Sequence, residues 1–171
     1  MALLAAFVQA DARLHDLKSF DCGKASLNEY LRRYAIRNSE LGLSRTWVLP
    51  EQSLQPKAPV AAYFTLASST VLRADLPATV SSLPAYPVPV VILARLGVSL
   101  THQGQQLGAK TLVQALRTAR ELSERGLPAF GVVLDVLDDD ALQFYQHMGM
   151  FSPLTDQPKR LFIAMDTIRQ L

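Results

Sequence analysis

Cysteine is almost absent. Cys22 stands alone among 171 residues, which excludes an intramolecular disulfide and any zinc site built on a cysteine cluster. That scarcity fits a reducing compartment, and the cytoplasm is the expected location. The three histidines, His15, His102 and His147, show no i, i+4 pairing, so no metal site is expected. Charge of one sign is scarce as well. Seventeen basic residues against fifteen acidic ones leave a formal +2, too little to draw nucleic acid to the whole surface, so any basic site has to be a local patch. No apolar run approaches the roughly 20 residues that span a bilayer. The apolar start Met1–Val8 has neither a basic leader nor a small-residue cleavage site before Asp11 and Arg13, and no membrane association is expected. Apolar residues are abundant: 49% hydrophobic against 19% charged, the balance of one globular domain over 1–171.

Along the chain, Met1–Val8 reads as a first strand. Ser26 is a good N-cap, and Leu27, Tyr30, Leu31, Tyr34 and Ala35 follow at helical spacing until Gly42. Arg45–Leu49 and Val60–Ser69 read as strands joined by a polar loop, and the prolines of Leu76–Pro89 mark an extended surface connection. The apolar run Val90–Val98 predicts a strand covered on both faces. A turn over Gln103–Gly108, a helix carrying Leu112, Ala115, Leu116, Ala119 and Leu122, and a strand over Phe130–Leu137 complete a βαβ unit. Asp138 or Asp139 caps a short helix Ala141–His147 that ends at Gly149, and Leu161–Met165 is a last strand. The fold class is therefore α/β or α+β.

The turn Gln103-Gly104-Gln105-Gln106-Leu107-Gly108-Ala109 enters a helix, where unpaired N–H groups and the helix dipole favour an anion such as phosphate. It is not a P-loop: Gly108 follows Gly104 by four positions instead of five, and Ala109 separates it from Lys110-Thr111. Nor is it a dinucleotide fingerprint, which needs three glycines. It resembles the Q/R-x-x-G-x-G/A loop of the GNAT superfamily of N-acetyltransferases, with Gln106 in place of the middle glycine. One backbone N–H is therefore expected to be less accessible or differently held. Leu96-Gly97-Val98 ahead of the loop, and Phe144-Tyr145-Gln146-His147-Met148-Gly149-Met150 late in the chain, are similar to the same family.

Phe20-Asp21-Cys22-Gly23 with Leu27-Asn28-Glu29-Tyr30-Leu31 and Ala35, and the closing Lys159-Arg160-Leu161-Phe162-Ile163, resemble the GNAT toxins of bacterial toxin–antitoxin pairs. The resemblance implies a central, mixed, twisted sheet flanked by helices, with a cleft where two parallel strands splay. It implies acetyl-CoA as donor, the α-amine of an aminoacyl-tRNA as acceptor, and a ribbon-helix-helix antitoxin. A homodimer is the expected assembly. On this reading pantetheine pairs along Leu96, Gly97 and Val98, and the pyrophosphate lies on the amides of Gln103, Gly104, Gln105, Gln106, Leu107, Gly108 and Ala109. Phe144 keeps a packing role beside the donor.

Tyr145 is the expected general acid, because a phenol with a pKa of about 10 can donate to a departing thiolate of about 8.5. The strand Val90–Val98 contains no carboxylate or histidine to act as base, and Asp135 reads equally well as a strand-end acid. An α-amine of about 7.7–8.0 needs less help in losing its proton than a lysine of about 10.4. Arg32, Arg33 and Arg37 form either a solvated helix face or a phosphate track for tRNA, and Arg95 is expected in the groove or against a carboxylate. Cys22 reads as structural and His102 as a turn residue. An acetyltransferase of a peptide N-terminus or small amine, and a degenerate CoA-binding or protein-binding module, stand as alternatives.

Overall fold

Strand β1 (Val8–Gln9) and strand β2 (His15–Asp16) are two residues each in the computed structural model, which describes residues 2–77, 82–155 and 157–171. The long first strand expected over Met1–Val8 is therefore not formed, and position 1 lies outside the described residues. The segment does not alternate apolar with polar and so has no single face to bury. Leu4 stays 41% exposed, and Leu3 makes an isolated bridge to Glu51.

The first helical region has three parts: α1 (Ala25–Glu29), a π turn over Tyr30–Tyr34, and α2 (Ala35–Glu40). Ser26 lies inside α1 and does not cap it. The entry is organised by Asn28, whose Oδ1 accepts from the Cys22 N–H and whose Nδ2 donates to Asp21 Oδ1, both at 2.8 Å. The π turn widens the helix and shifts its phase, so Leu31 and Ala35 are buried whereas Tyr34 leaves the apolar stripe at 47% exposure. Gly42, at φ +76°, stops the region as expected.

Strands β3 (Arg45–Pro50) and β4 (Ala58–Val71) pair antiparallel from Arg45–Leu66 to Pro50–Val60. A short 3₁₀ turn, Arg73–Asp75, precedes the expected extended connection, of which positions 78–81 lie outside the described residues. Strand β5 (Val88–Val98) is not covered on both faces: Val88, Val90, Leu93 and Gly97 are buried, and the positions between are half-buried or exposed. An unbroken apolar run does not itself specify two-sided burial.

Helix α3 (Leu107–Arg125) leads to β6 (Gly131–Asp135), which pairs parallel with β5 over Val91–Val132, Ile92–Val133 and Leu93–Leu134. The βαβ expectation thus holds, and β5 runs on to Val98 past its last registered pair with β6. Helix α4 (Asp139–Met148) is capped by Asp138, whose carboxylate accepts from the Ala141 N–H at 2.9 Å, and ends at Gly149 with φ +73°. The last strand is longer than expected: β7 (Ser152–Leu154) and β8 (Gln157–Ala164) form a hairpin, and Met165 opens α5 (Met165–Ile168).

These elements fall into two units. In the first, Met1–Ala67 with Arg95–Ala115, β3 pairs antiparallel with β1 and β4, while β2 pairs parallel with β4. Leu31, Val48 and Tyr63 are fully buried in its core. In the second, Ser68–Ala94 with Leu116–Leu171, β6 lies parallel to β5 and antiparallel to β8. Its core holds Val90, Val133 and Phe162. Gly131 has to be glycine, since a Cβ there would stand 2.4 Å from the Ile163 carbonyl oxygen and 2.5 Å from the Phe162 ring. The fold is mixed α/β. Among the described residues, no helix is long and apolar enough to cross a membrane.

Candidate functional site

The end of β5 and the turn after it belong to the first unit. Gly97 sits over an aromatic floor: a Cβ at this position would lie 3.2 Å from Tyr63 Cε1 and 3.5 Å from Phe20 Cζ, so the strand approaches Tyr63 at glycine distance. The next residues run through a 3₁₀ turn, Leu100–His102, into Gln103. The Gln103 side chain ties this junction together, its Nε2 donating to the Cys22 and Val98 carbonyl oxygens at 3.0 Å each. Its carboxamide thus links the turn to protein backbone, a role the motif alone did not disclose.

Gln103, Gly104, Gln105 and Gln106 are exposed, and Leu107 is buried against Leu49, Ala61 and Ala62. Gly104 has φ +80° and Gln106 has φ +61°. Gln106 is the one non-glycine with positive φ among the described residues. It keeps the conformation that a glycine would supply at this point, at a cost of order 1 kcal/mol, and strain of this kind concentrates at ligand sites. Gln106 thus has a glycine-like φ held under strain, in place of the different geometry expected. The first helical bond of α3 runs from the Lys110 N–H to the Gln106 carbonyl oxygen at 3.2 Å. Leu107, Gly108 and Ala109 precede it, so their amides form the open first turn of a 19-residue helix, the part that attracts anions.

In the second unit, α4 carries Phe144 and Tyr145. Tyr145 is buried, with its ring edge-on to Phe144 at 5.1 Å and to Phe151 at 5.7 Å. Burial pushes its phenol up to about 12. That corrects the pKa match drawn from the sequence: the group is a weaker acid than a free tyrosine and stays protonated throughout the neutral range. Asp135 is an exposed strand-end acid registered opposite Arg160, whose Nε lies 3.2 Å away at ion-pair distance.

Arg32, Arg33 and Arg37 are all exposed, and Arg33 pairs with Glu29 at 3.4 Å. Arg95 is half-buried with its guanidinium 4.6 Å from the centroid of the Tyr30 ring. The face of Tyr30 thus supplies a cation–π contact to this side chain. Cys22 is buried, and desolvation raises its thiol above the ordinary range, against a role as nucleophile. Among the described residues, no group of three His, Cys, Asp or Glu side chains is placed to hold a metal ion. The sequence reading missed a buried pair, His102 Nε2 to Glu51 Oε1 at 2.6 Å. The partners are 51 residues apart, and no motif links them.

No family model matches the chain. A tRNA-acetylating toxin of Mycobacterium tuberculosis is 35% identical over 157 residues, covering 91% of this chain and 90% of that protein. The structure of the AtaT toxin complexed with acetyl-methionyl-tRNAfMet matches with a TM-score of 0.85 at 28% identity, over 98% of each chain. A Tyr→Phe variant of AtaT bound to the C-terminus of the antitoxin AtaR and to acetyl-CoA matches with a TM-score of 0.80 at 26% identity, over 99% of this chain and 98% of that one.

Proposed function

The chain belongs to the family of tRNA-acetylating toxins, and from that premise we infer that it transfers acetyl from acetyl-CoA to the α-amine of an aminoacyl-tRNA, acting as a GNAT-type N-acetyltransferase over the single domain 1–171. β4, β5 and α3 each contribute residues to both units, which supports treating the chain as one functional domain. The small-amine, peptide and non-enzymatic alternatives give way to this reading.

One observation carries the assignment of the donor site: Gln106 holds φ +61° at the mouth of α3. The strain is explained if the backbone there has to present its amides to a ligand. On this reading the amides from Gln103 to Ala109 bind the CoA pyrophosphate, Leu107 anchors the turn in the core, and Leu96, Gly97 and Val98 pair with pantetheine as an added strand would. A backbone N–H near Leu96 polarises the acetyl carbonyl as the amine attacks. Tyr145 donates a hydrogen bond to the thiolate as the C–S bond breaks. The acceptor amine loses its proton to water, which an α-amine of about 7.7–8.0 allows near neutrality. Phe144 packs beside Tyr145.

Arg32, Arg33, Arg37 and Arg95 form the proposed tRNA contacts, supported by the exposure of the first three. The cation–π contact with Tyr30 leaves the Arg95 charge in place. A ribbon-helix-helix antitoxin and a cytoplasmic location are part of this reading, the first supported by the resemblance of Phe20–Ala35 and the second by the single cysteine. A homodimer is supported by the exposed apolar side chains Tyr34, Leu41 and Leu43. The deciding experiment incubates the protein with radiolabelled acetyl-CoA and bulk charged tRNA and identifies the labelled ester. Label on the amino acid's α-nitrogen is the expected product, and label confined to free amines or protein would refute the reading.

A further inference from the structure

His102 immediately precedes the Gln103–Ala109 turn. It is 6% exposed, and Glu51, which follows β3, is 5% exposed. Glu51 is itself fixed: its N–H donates to the Pro59 carbonyl oxygen at 2.9 Å, and it forms a bridge with Leu3. We propose that Glu51 and His102 form a latch that positions the turn for the acetyl donor, a proposal that rests on reading that turn as the pyrophosphate site.

Three observations lead there. The 2.6 Å contact between His102 Nε2 and Glu51 Oε1 joins the entrance of the turn to the residue that follows β3. Its neighbour Gln103 is held from a different direction, to Cys22 and Val98, so the two residues at the entrance are fixed independently. Second, the histidine lies at the edge of open space. Glu51 and His102 line a cavity of about 320 Å³ together with Asp16, Ser19, Ser99 and Thr101. If the bond were lost, the ring would have room to move.

Third, burying an acid–histidine pair is a weak source of stability, because desolvating the two groups offsets most of what their contact contributes; Glu51 Oε2 has no hydrogen-bond partner among the described protein atoms. A buried polar pair with little net stabilising effect, at the entrance to a strained and otherwise exposed turn, is better explained by what it positions. Glu51 and His102 are therefore positioning residues acting through the turn.

The test uses the full chain and three variants. Glu51→Gln retains a carbonyl acceptor for His102 and should keep the KM for acetyl-CoA within about threefold of wild type. Glu51→Leu, and Glu51→Leu with His102→Leu, remove the latch and should raise that KM about tenfold, the scale of one lost positioning hydrogen bond. In these variants kcat should fall by no more than about threefold. The double variant replaces both polar partners by apolar ones, an exchange that buried pairs tolerate, so it keeps the fold and its Tm stays near wild type. Wild-type KM in the double variant would overturn the latch. A fall in kcat at unchanged KM would overturn it too, because it would place the pair in the chemistry. Gly108→Val separates the two levels of inference. If it weakens acetyl-CoA and the double variant does not, the latch alone fails. If neither weakens binding, the pyrophosphate reading fails and takes the latch with it.

Discussion

Replacing Tyr145 by phenylalanine removes one oxygen from a side chain that is 8% exposed and leaves in place the ring contacts to Phe144 and Phe151. α4 therefore keeps its packing. A general-acid or hydrogen-bond contribution is worth about 10²–10⁴ in rate, or about 3–5 kcal/mol on the barrier. The variant should bind acetyl-CoA with a Kd within about twofold of wild type and turn over about 10²–10⁴ more slowly, read by thiol release at saturating donor and charged tRNA. The pH profile supplies a second reading. Burial holds the phenol at about 12, so the donor keeps its proton across the working range. Wild-type kcat/KM should rise through the acceptor amine's range, about pH 7.7–8.0, and then stay level to about pH 10. A kcat within about threefold of wild type would remove Tyr145 from the reaction. An alkaline fall below about pH 10 that the phenylalanine variant abolishes would refute the argument from burial.

Gln106→Gly relieves the left-handed strain at φ +61° but frees the unfolded chain, so stability should change by less than about 1 kcal/mol in a denaturant titration, with acetyl-CoA affinity unchanged or tighter. A loss of affinity would show that the glutamine side chain itself binds the donor. Arg33→Glu with Arg37→Glu should raise the KM for charged tRNA and leave the Kd for acetyl-CoA alone, and wild-type activity at subsaturating tRNA should fall steeply with salt. Salt-insensitive kcat/KM would argue against a phosphate track. The buried phenol also links stability to pH. The folded-state value of Tyr145 is raised from 10.0 to about 12, so its contribution is fully present below about pH 10 and is lost as the pH rises through that window, at about 1.4 kcal/mol per unit. Tyr145→Phe should lessen the fall in Tm between about pH 10 and 12, and an unchanged fall would refute the linkage.

Local chemistry wrote much of this structure into the sequence. Asp138 and Gly149 bound α4 because a carboxylate cap and a left-handed glycine act within one helical turn. The Gln103–Ala109 turn was legible for the same reason: strand, turn and helix N-terminus are contiguous, and the open amides of Leu107, Gly108 and Ala109 follow from helix geometry alone. The apolar spacing of α3 needed only the helical period. Tyr145 could be named from its neighbours along the chain, but its phenol pKa could not, because desolvation comes from packing in three dimensions.

Tertiary structure decided the features that join distant segments or shift a local phase. The π turn at Tyr30–Tyr34 moved Tyr34 out of the apolar stripe, although its spacing from Leu31 and Leu27 suited a regular helix. Arg95 met the face of Tyr30, 65 positions earlier in the numbering, a contact that no local spacing announces. The short β7 was hidden by Pro153, and it exists because β8 supplies its partner. Glu51 and His102 carry no motif at all. Their bond depends on the end of β3 and the turn after β5 arriving at the same place, and burial at that meeting point is what turns an ordinary acid and an ordinary histidine into a pair.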